Sequence, residues 1–398
     1  MTDRLYYTDP YLRQFDAIVV SAEARDGRMF VRLDRSAFYP TSGGQPFDTG
    51  ALGGARVVDV FDETDSPDGD VIHVVDGGAP GAGQAVHGSI DWDRRFDHMQ
   101  QHTGQHILSS AFDRLSSART VGFHLGSEAS TIDLDRAVSP DEIQAAEREA
   151  NRIVWEDRPV GIRFVDSAEA ARLPLRKPPK KAGTLRLIDI EDFDLSACGG
   201  THVARTGGVG LIAVSAWERF KGGLRVEFVC GGRALARFGA LRDATAAACR
   251  TLSVLPGELA QSIERLQQDL KNERRSQFAL QTELARFRAD EMVAVAEAIP
   301  AGRLVARLVD ADASGLKALA SAIASRDGLL VVLVSASTPA LVVVARSAGL
   351  GVRADEVVRA LTGAFGGRGG GKPDLAQGGG LAAPADDILA AARKLVTS

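Results

Sequence analysis

The sequence predicts an α+β chain of several domains: a small antiparallel β-barrel, a mixed α+β domain, a long helix and a C-terminal α/β domain. Three observations carry this. At 398 residues the chain is too long for one ordinary core. Residues 1–92 alternate apolar and polar side chains between turn signals, whereas residues from 303 onward read βαββα. Between them, leucines at steps of three and four mark a long helix.

The elements follow in order. FDAIVVSAEARDGRMFVRLDRSAFYP, ARVVDVFDE, DVIHVV and QAVHGSIDW are short strands around turns such as DG, which suit a small barrel over 1–92. His73 and His87 fall on these strands and read as structural. Residues 93–255 form the α+β domain. One helix is expected from about 97 to 115 and a second over 140–157, with Ser139 as its N-cap. The strands GIRFVD, LRLIDI, GLIAVSAWE and LRVEFVC follow. Over 256–298, Leu259, Ile263, Leu266, Leu270, Leu280, Leu284 and Phe287 form an imperfect heptad seam, interrupted at Glu273 and Gln277. This helix spaces two domains, pairs with a second copy of the chain, or packs on its own domain. Residues 299–398 make the last domain, in which a glycine-rich segment, GGRGGGKPDLAQGGG, precedes a final helix.

Composition narrows the function classes. A hydrophobic fraction of 45% and a charged fraction of 25% are those of a soluble globular protein. The net charge of -5 gives no global pull toward nucleic acid, so any such contact needs a local basic patch. Three cysteines make no disulfide framework and point to a reducing compartment. The opening MTDRLYYTDPYLRQF lacks the apolar core of a signal peptide, so a cytoplasmic location is expected. The most apolar stretch, GLLVVLVSASTPALVVVARSAGL, is broken by Ser335, Ser337, Thr338 and Pro339 and reads as two buried strands around a turn. The glycine-rich segment lacks the strand-then-helix context and lysine–Ser/Thr pair of a P-loop.

One constellation carries chemistry. His98, His102 and His106 recur every four residues, so a helix presents them along one face. One metal ion cannot use all three. Zinc–nitrogen bonds are about 2.0–2.1 Å long, whereas positions eight apart on a helix are separated by about 12 Å. An adjacent pair makes a half-site that needs ligands from elsewhere. ACGGTHV supplies them: Cys198 and His202 flank two glycines that free the backbone to turn thiolate and imidazole the same way. A soft thiolate with imidazoles suits zinc. Cys230 and Cys249 have no such companions and read as core.

HTGQHIL (102–108) and CGGTHV (198–203) resemble the two zinc motifs of the alanyl-tRNA synthetase editing domain. FYPTSGGQPFDTG (38–50) resembles the barrel motif that precedes that domain, and GGRGGGKPDLAQGGG resembles the signature of the DHHA1 domain that closes these synthetases. The resemblance covers nearly the whole chain, without the aminoacylation half, and the arrangement is similar to that of the long-type free-standing alanyl-tRNA editing proteins.

The resemblance implies that His102, His106, Cys198 and His202 hold one zinc ion, with either three or all four of them on the metal. It implies a hydrolase that deacylates mischarged tRNA(Ala), seryl first and glycyl second. The metal would acidify a water or orient the terminal adenosine; both roles stay open. Thr103 and Gln105, beside the ligands, and His124, where the family has a glutamine, are the candidates for catalysis. Arg176, Lys177, Lys180 and Lys181 are the candidate phosphate contacts in a basic loop, and Arg368 and Lys372 those of the last domain. Two other readings compete: a non-catalytic tRNA-binding protein with a structural zinc, and a hydrolase of another small ester or phosphodiester.

Overall fold

A computed structural model of the chain describes residues 1–64, 69–78, 80–177 and 183–397. These form two compact units, Met1–Ala247 and Ala248–Ser398, and the dividing line falls inside the helix Gly231–Leu252.

The first unit opens with a closed barrel of six antiparallel strands. Its order is Gln14–Arg25, Arg28–Leu33, Val71–Asp76, Ala55–Asp62, Gly50–Leu52 and Ala85–Ile90, the last pairing with the first. Alternate residues such as Val19, Val31, Leu33, Leu52, Val57 and Val75 fill the interior. Closure leaves no strand edge to protect. A helix follows, Trp92–Ser116, here called the histidine helix. It begins five positions before the expected 97, because the Asp91 carboxylate accepts the Arg94 N–H and caps the first turn. A second helix, Pro140–Trp155, carries a full capping box between Ser139 and Glu142.

Two sheets flank these helices. One is four-stranded, in the order Ile212–Phe220, Gly223–Cys230, Ser130–Leu134, Thr120–Leu125. The strands Thr120–Leu125 and Ser130–Leu134 are additions to the expected set; they are short and mixed in polarity, so their alternation is weak on its own. The other sheet is three-stranded: Val160–Val165, Leu185–Ile190, Asp194–Ala197. A core including Met99, Ile107, Phe112, Ile132, Ile153 and Phe228 joins the histidine helix to its neighbours.

A buried ion pair clasps the barrel to the histidine helix. Arg95 and Asp48 are both fully buried; Arg95 Nε lies 3.0 Å from Asp48 Oδ2 and its Nη1 donates to Pro10 O at 2.8 Å. Asp48 also accepts the Tyr39 N–H at 2.7 Å. Satisfying the remaining donors and acceptors is what makes such a pair tolerable in a dry interior.

The second unit holds the long helix Leu259–Ala294 and a six-stranded sheet. The sheet order is Glu297–Ile299, Gly302–Val309, Leu329–Ser335, Ala340–Arg346, Leu375–Leu381, Arg368–Lys372, with one parallel pair, Gly302–Val309 beside Leu329–Ser335. The glycine-rich segment is a β-hairpin, Arg368–Lys372 against Leu375–Leu381. Glycine is a poor strand former, but the helix Ala354–Phe365 lies close over this hairpin: a Cβ on Gly369 would come 2.7 Å from Val358 Cγ1. Among the described residues, most of the heptad seam is left exposed. Leu266, Leu270, Leu280, Leu284 and Phe287 are exposed, and the long helix docks instead through Ala285 and Ala289 onto a core with Leu316, Leu319 and Ile323.

Candidate metal centre

The histidine helix is held from both ends of its HMQQHTGQH segment. The Gln101 amide pairs with both backbone groups of Cys230, accepting its N–H at 2.8 Å and donating to its carbonyl at 3.0 Å. Gln100 Nε2 donates to Gly208 O at 3.0 Å. Between the two histidines, Gly104 lets the strand Gly223–Cys230 press against the helix: a Cβ there would lie 2.3 Å from Cys230 Sγ. The buried Cys230 is thus a packing partner of the motif glycine.

The CGGTH segment leaves the strand Asp194–Ala197, whose pairing with Leu185–Ile190 sets where the turn begins. Arg186 clamps that turn, its Nη1 donating to Cys198 O at 2.7 Å and Gly200 O at 2.9 Å. The glycines act differently from expectation. Neither Gly199 nor Gly200 has the positive φ that would require glycine. Gly200 is needed for space, since a Cβ would fall 2.2 Å from His102 Cε1.

These two segments bring one potential ligand atom each from His102, His106, Cys198 and His202 to within 4.8 Å of one another. Cys198 Sγ lies 3.4 Å from His102 Nε2 and 3.4 Å from His202 Nε2. A tetrahedral site with Zn–S of about 2.3 Å and Zn–N of about 2.0–2.1 Å has an S···N edge of about 3.5 Å, so the donor set and spacing fit zinc. The three imidazoles are buried and Cys198 is half-buried as a residue.

Every imidazole engages a different partner through Nδ1. His106 Nδ1 meets Asp194 Oδ2 at 2.9 Å, His102 Nδ1 meets Gln45 Oε1 at 2.8 Å, and His202 Nδ1 meets Thr103 Oγ1 at 3.1 Å. Asp194 also accepts from Arg176 Nε at 2.6 Å and Ser196 Oγ at 2.9 Å. Burial pushes the Asp194 carboxyl up, but the hydrogen bond from His106 and the Arg176 charge outweigh it and hold Asp194 at about 2. Burial disfavours charge on His106 as well, yet Asp194 and Cys198 raise it to about 9. Burial lowers His202 to about 3. It would raise Cys198, but the charges of His102 and His202 bring the thiol well below its ordinary value. The cluster therefore favours a thiolate, the form a metal requires.

The remaining candidates lie as follows. Thr103 is buried and its hydroxyl faces His202 and the Val203 N–H (3.1 Å), so it supports a ligand. Gln105 is buried too, its Nε2 donating to Ser109 Oγ at 2.8 Å, which in turn accepts from Thr120. His124 is exposed on the strand Thr120–Leu125, and His98 is buried outside the cluster. The guanidinium of Arg176, an expected phosphate contact, is tied to Asp194 beside the metal cluster. Lys177 is exposed, and Lys180 and Lys181 lie outside the described residues. Arg368 and Lys372 are exposed at the two ends of the outer strand of the glycine hairpin. Sequence reasoning missed Gln45, Asp194 and Arg186. Only Gln45 carried a signal, its place in the quoted SGGQ motif.

A model of the threonyl and alanyl tRNA synthetase second additional domain matches residues 185–227, and one of the DHHA1 domain matches residues 302–398. The alanyl-tRNA editing protein AlaX-L of Pyrococcus horikoshii is 32% identical over 99% of this chain and 98% of its own length. The alanine–tRNA ligases of Pyrococcus abyssi and Halobacterium salinarum are 33% and 37% identical over 95% and 98% of this chain, which spans 42% and 44% of their length. Among solved structures, the C-Ala domain of Aquifex aeolicus alanyl-tRNA synthetase matches 26% of this chain at 25% identity with a TM-score of 0.25. With near end-to-end similarity to a free-standing editing protein, the chain belongs to the AlaX-L family of alanyl-tRNA editing proteins.

Proposed function

We propose that the chain is a trans-editing hydrolase that deacylates mischarged tRNA(Ala) in the cytoplasm, with seryl-tRNA(Ala) as first substrate, glycyl-tRNA(Ala) as second, and one zinc ion per chain. The observation that supports this is the convergence of His102, His106, Cys198 and His202 in a member of the AlaX-L family. The need for such an enzyme is physical. A pocket built for alanine rejects serine, which merely adds a hydroxyl, by only about 10²-fold.

His102, His106, Cys198 and His202 would hold the metal, and Gln45, Asp194 and Thr103 would orient three of these ligands. When bound, zinc supplies a Lewis acid beside the amino-acid ester. Thr103 and Gln105 sit next to the ligands, and their buried hydrogen bonds suit them to shaping the site more than to entering the reaction. Exposed His124 would act from the rim. Lys177, Lys180 and Lys181 would meet acceptor phosphates, as would Arg368 and Lys372 from the DHHA1 domain. The exposed seam of the long helix is where a second copy of the chain would pair.

A second reading, a tRNA-binding protein with a structural zinc, draws support from the four-donor set, because closed four-ligand sites are the structural kind. Incubating the purified chain with seryl-tRNA(Ala) and alanyl-tRNA(Ala) separates the two. The expected result is release of serine, lost on chelation and restored by zinc. Binding without hydrolysis by a zinc-loaded chain would establish the second reading.

A further inference from the structure

Gln45 lies in the SGGQ turn of the barrel, so its contact with His102 brings the barrel to the metal cluster. It is fully buried and makes three contacts. Its Oε1 accepts the Thr201 backbone N–H at 3.1 Å and faces His102 Nδ1 at 2.8 Å, while its Nε2 donates to Thr201 Oγ1 at 2.8 Å. A backbone N–H can only donate, so Thr201 fixes which end of the amide is oxygen. That oxygen can only accept. His102 must therefore carry a proton on Nδ1, so in the neutral ring the lone pair is on Nε2, the atom 3.4 Å from Cys198 Sγ.

The turn that presents Gln45 is held on several sides. Ser42 and Gln45 exchange backbone hydrogen bonds at 3.1 and 2.9 Å, Tyr39 Oη donates to Ser42 O at 3.1 Å, and Gly44 O accepts the Leu125 N–H at 3.1 Å. On the far side, the space a Gly200 side chain would need is taken by His102 and by Gln45 Oε1, 3.0 Å from such a Cβ. One amide thus touches both halves of the cluster, the histidine helix and the CGGTH turn.

We infer that Gln45 is a positioning residue of the metal centre, through which the barrel sets the tautomer and orientation of His102 and registers the CGGTH turn against it. The inference rests on the metal-ligand reading proposed above. Partners of this kind typically change metal affinity by about 10–100-fold when removed.

The test uses the full chain with Gln45→Leu, which removes the acceptor, and Gln45→Glu, which keeps an acceptor for both His102 and the Thr201 N–H. Zinc affinity is read by chelator competition. The His102 tautomer is read from imidazole ¹⁵N shifts of the metal-free chain, a signal that a merely space-filling role would not move. Gln45→Leu should weaken zinc binding by about 10–100-fold and release His102 from the single Nδ1–H tautomer. Gln45→Glu should restore both to near wild type. Wild-type zinc affinity in folded Gln45→Leu, or equal losses in both variants, would overturn the inference. Should Gln45→Leu fail to fold, Gln45→Glu decides alone: loss of the Nδ1–H tautomer there overturns it. A wild-type chain that takes up no zinc would refute the metal reading instead, and the tautomer, measured without metal, still judges Gln45.

Discussion

At the residue scale, the Arg176–Asp194–His106 chain ties a basic segment to the metal cluster. Asp194 is fully buried as a side chain and accepts from both neighbours, so removing its charge disturbs the imidazole and strands Arg176. Asp194→Asn should weaken zinc binding by about 10–100-fold. Arg176→Ala should weaken it in the same direction, an outcome that chelator competition distinguishes from a pure loss of tRNA affinity. A second residue-level consequence concerns pH. Burial lowers both His73, enclosed in the barrel against Ser36 Oγ at 2.7 Å, and His98 to about 4. The unfolded chain takes up these protons near the ordinary histidine value of about 6.5. Between there and about 4 the unfolded state binds more protons, so stability is full above the window and falls with pH through it. Each histidine contributes a slope approaching about 1.4 kcal/mol per pH unit. Urea unfolding followed from pH 7 to 4.5 should show the decline; a flat profile would count against it.

At the scale of elements, the histidine helix is placed by what it touches along one side. Gly104 meets Cys230, and Gln101 pairs with the backbone of the same residue. Gly104→Ala should cost about 1–3 kcal/mol by overpacking. Cys230→Ala removes the sulfur in the way, so the double variant should lose less than the sum of the single ones, which a urea double-mutant cycle measures. Spacing offered Cys198 and His202 in one turn and an adjacent histidine pair on one helix face, but left His98–His102 and His102–His106 open. The family resemblance implied the second pair, which is the one the fold brings beside Cys198 and His202. Gln45 and Asp194 were not legible in the sequence. Their neighbours are decided by barrel closure and by the register of Leu185–Ile190 against Asp194–Ala197, neither of which a local pattern encodes. The Arg176–Asp194 pair was hidden for the same reason: a basic run gives no sign of the buried carboxylate beside it. The glycine hairpin escaped because strand propensity argues against glycine, and the reasons for it, the helix packed over the hairpin and the close approach of the partner strand at Gly369 and Gly371, are tertiary.

At the scale of the whole molecule, both segments of the metal cluster and the SGGQ turn fall within Met1–Ala247, and the DHHA1 match within Ala248–Ser398. A chain ending after residue 255 keeps the helix Gly231–Leu252 whole. It should still fold, bind zinc and hydrolyse seryl-tRNA(Ala), with kcat retained and KM raised as the distal phosphate contacts disappear. Steady-state kinetics on cognate and non-cognate seryl-tRNAs reads both constants. Abolished kcat at saturating tRNA would place part of the reaction in the removed half.

The barrel cannot be trimmed in the same way. Arg95 and Asp48 are both fully buried, one on the histidine helix and the other at the foot of the SGGQ turn. Residues 93–247 made alone would inherit a guanidinium with its counter-charge and two of its carbonyl acceptors gone, Pro10 and Ala37. A transplant of this editing site into another scaffold must therefore carry the barrel along, or rewrite position 95 before anything else.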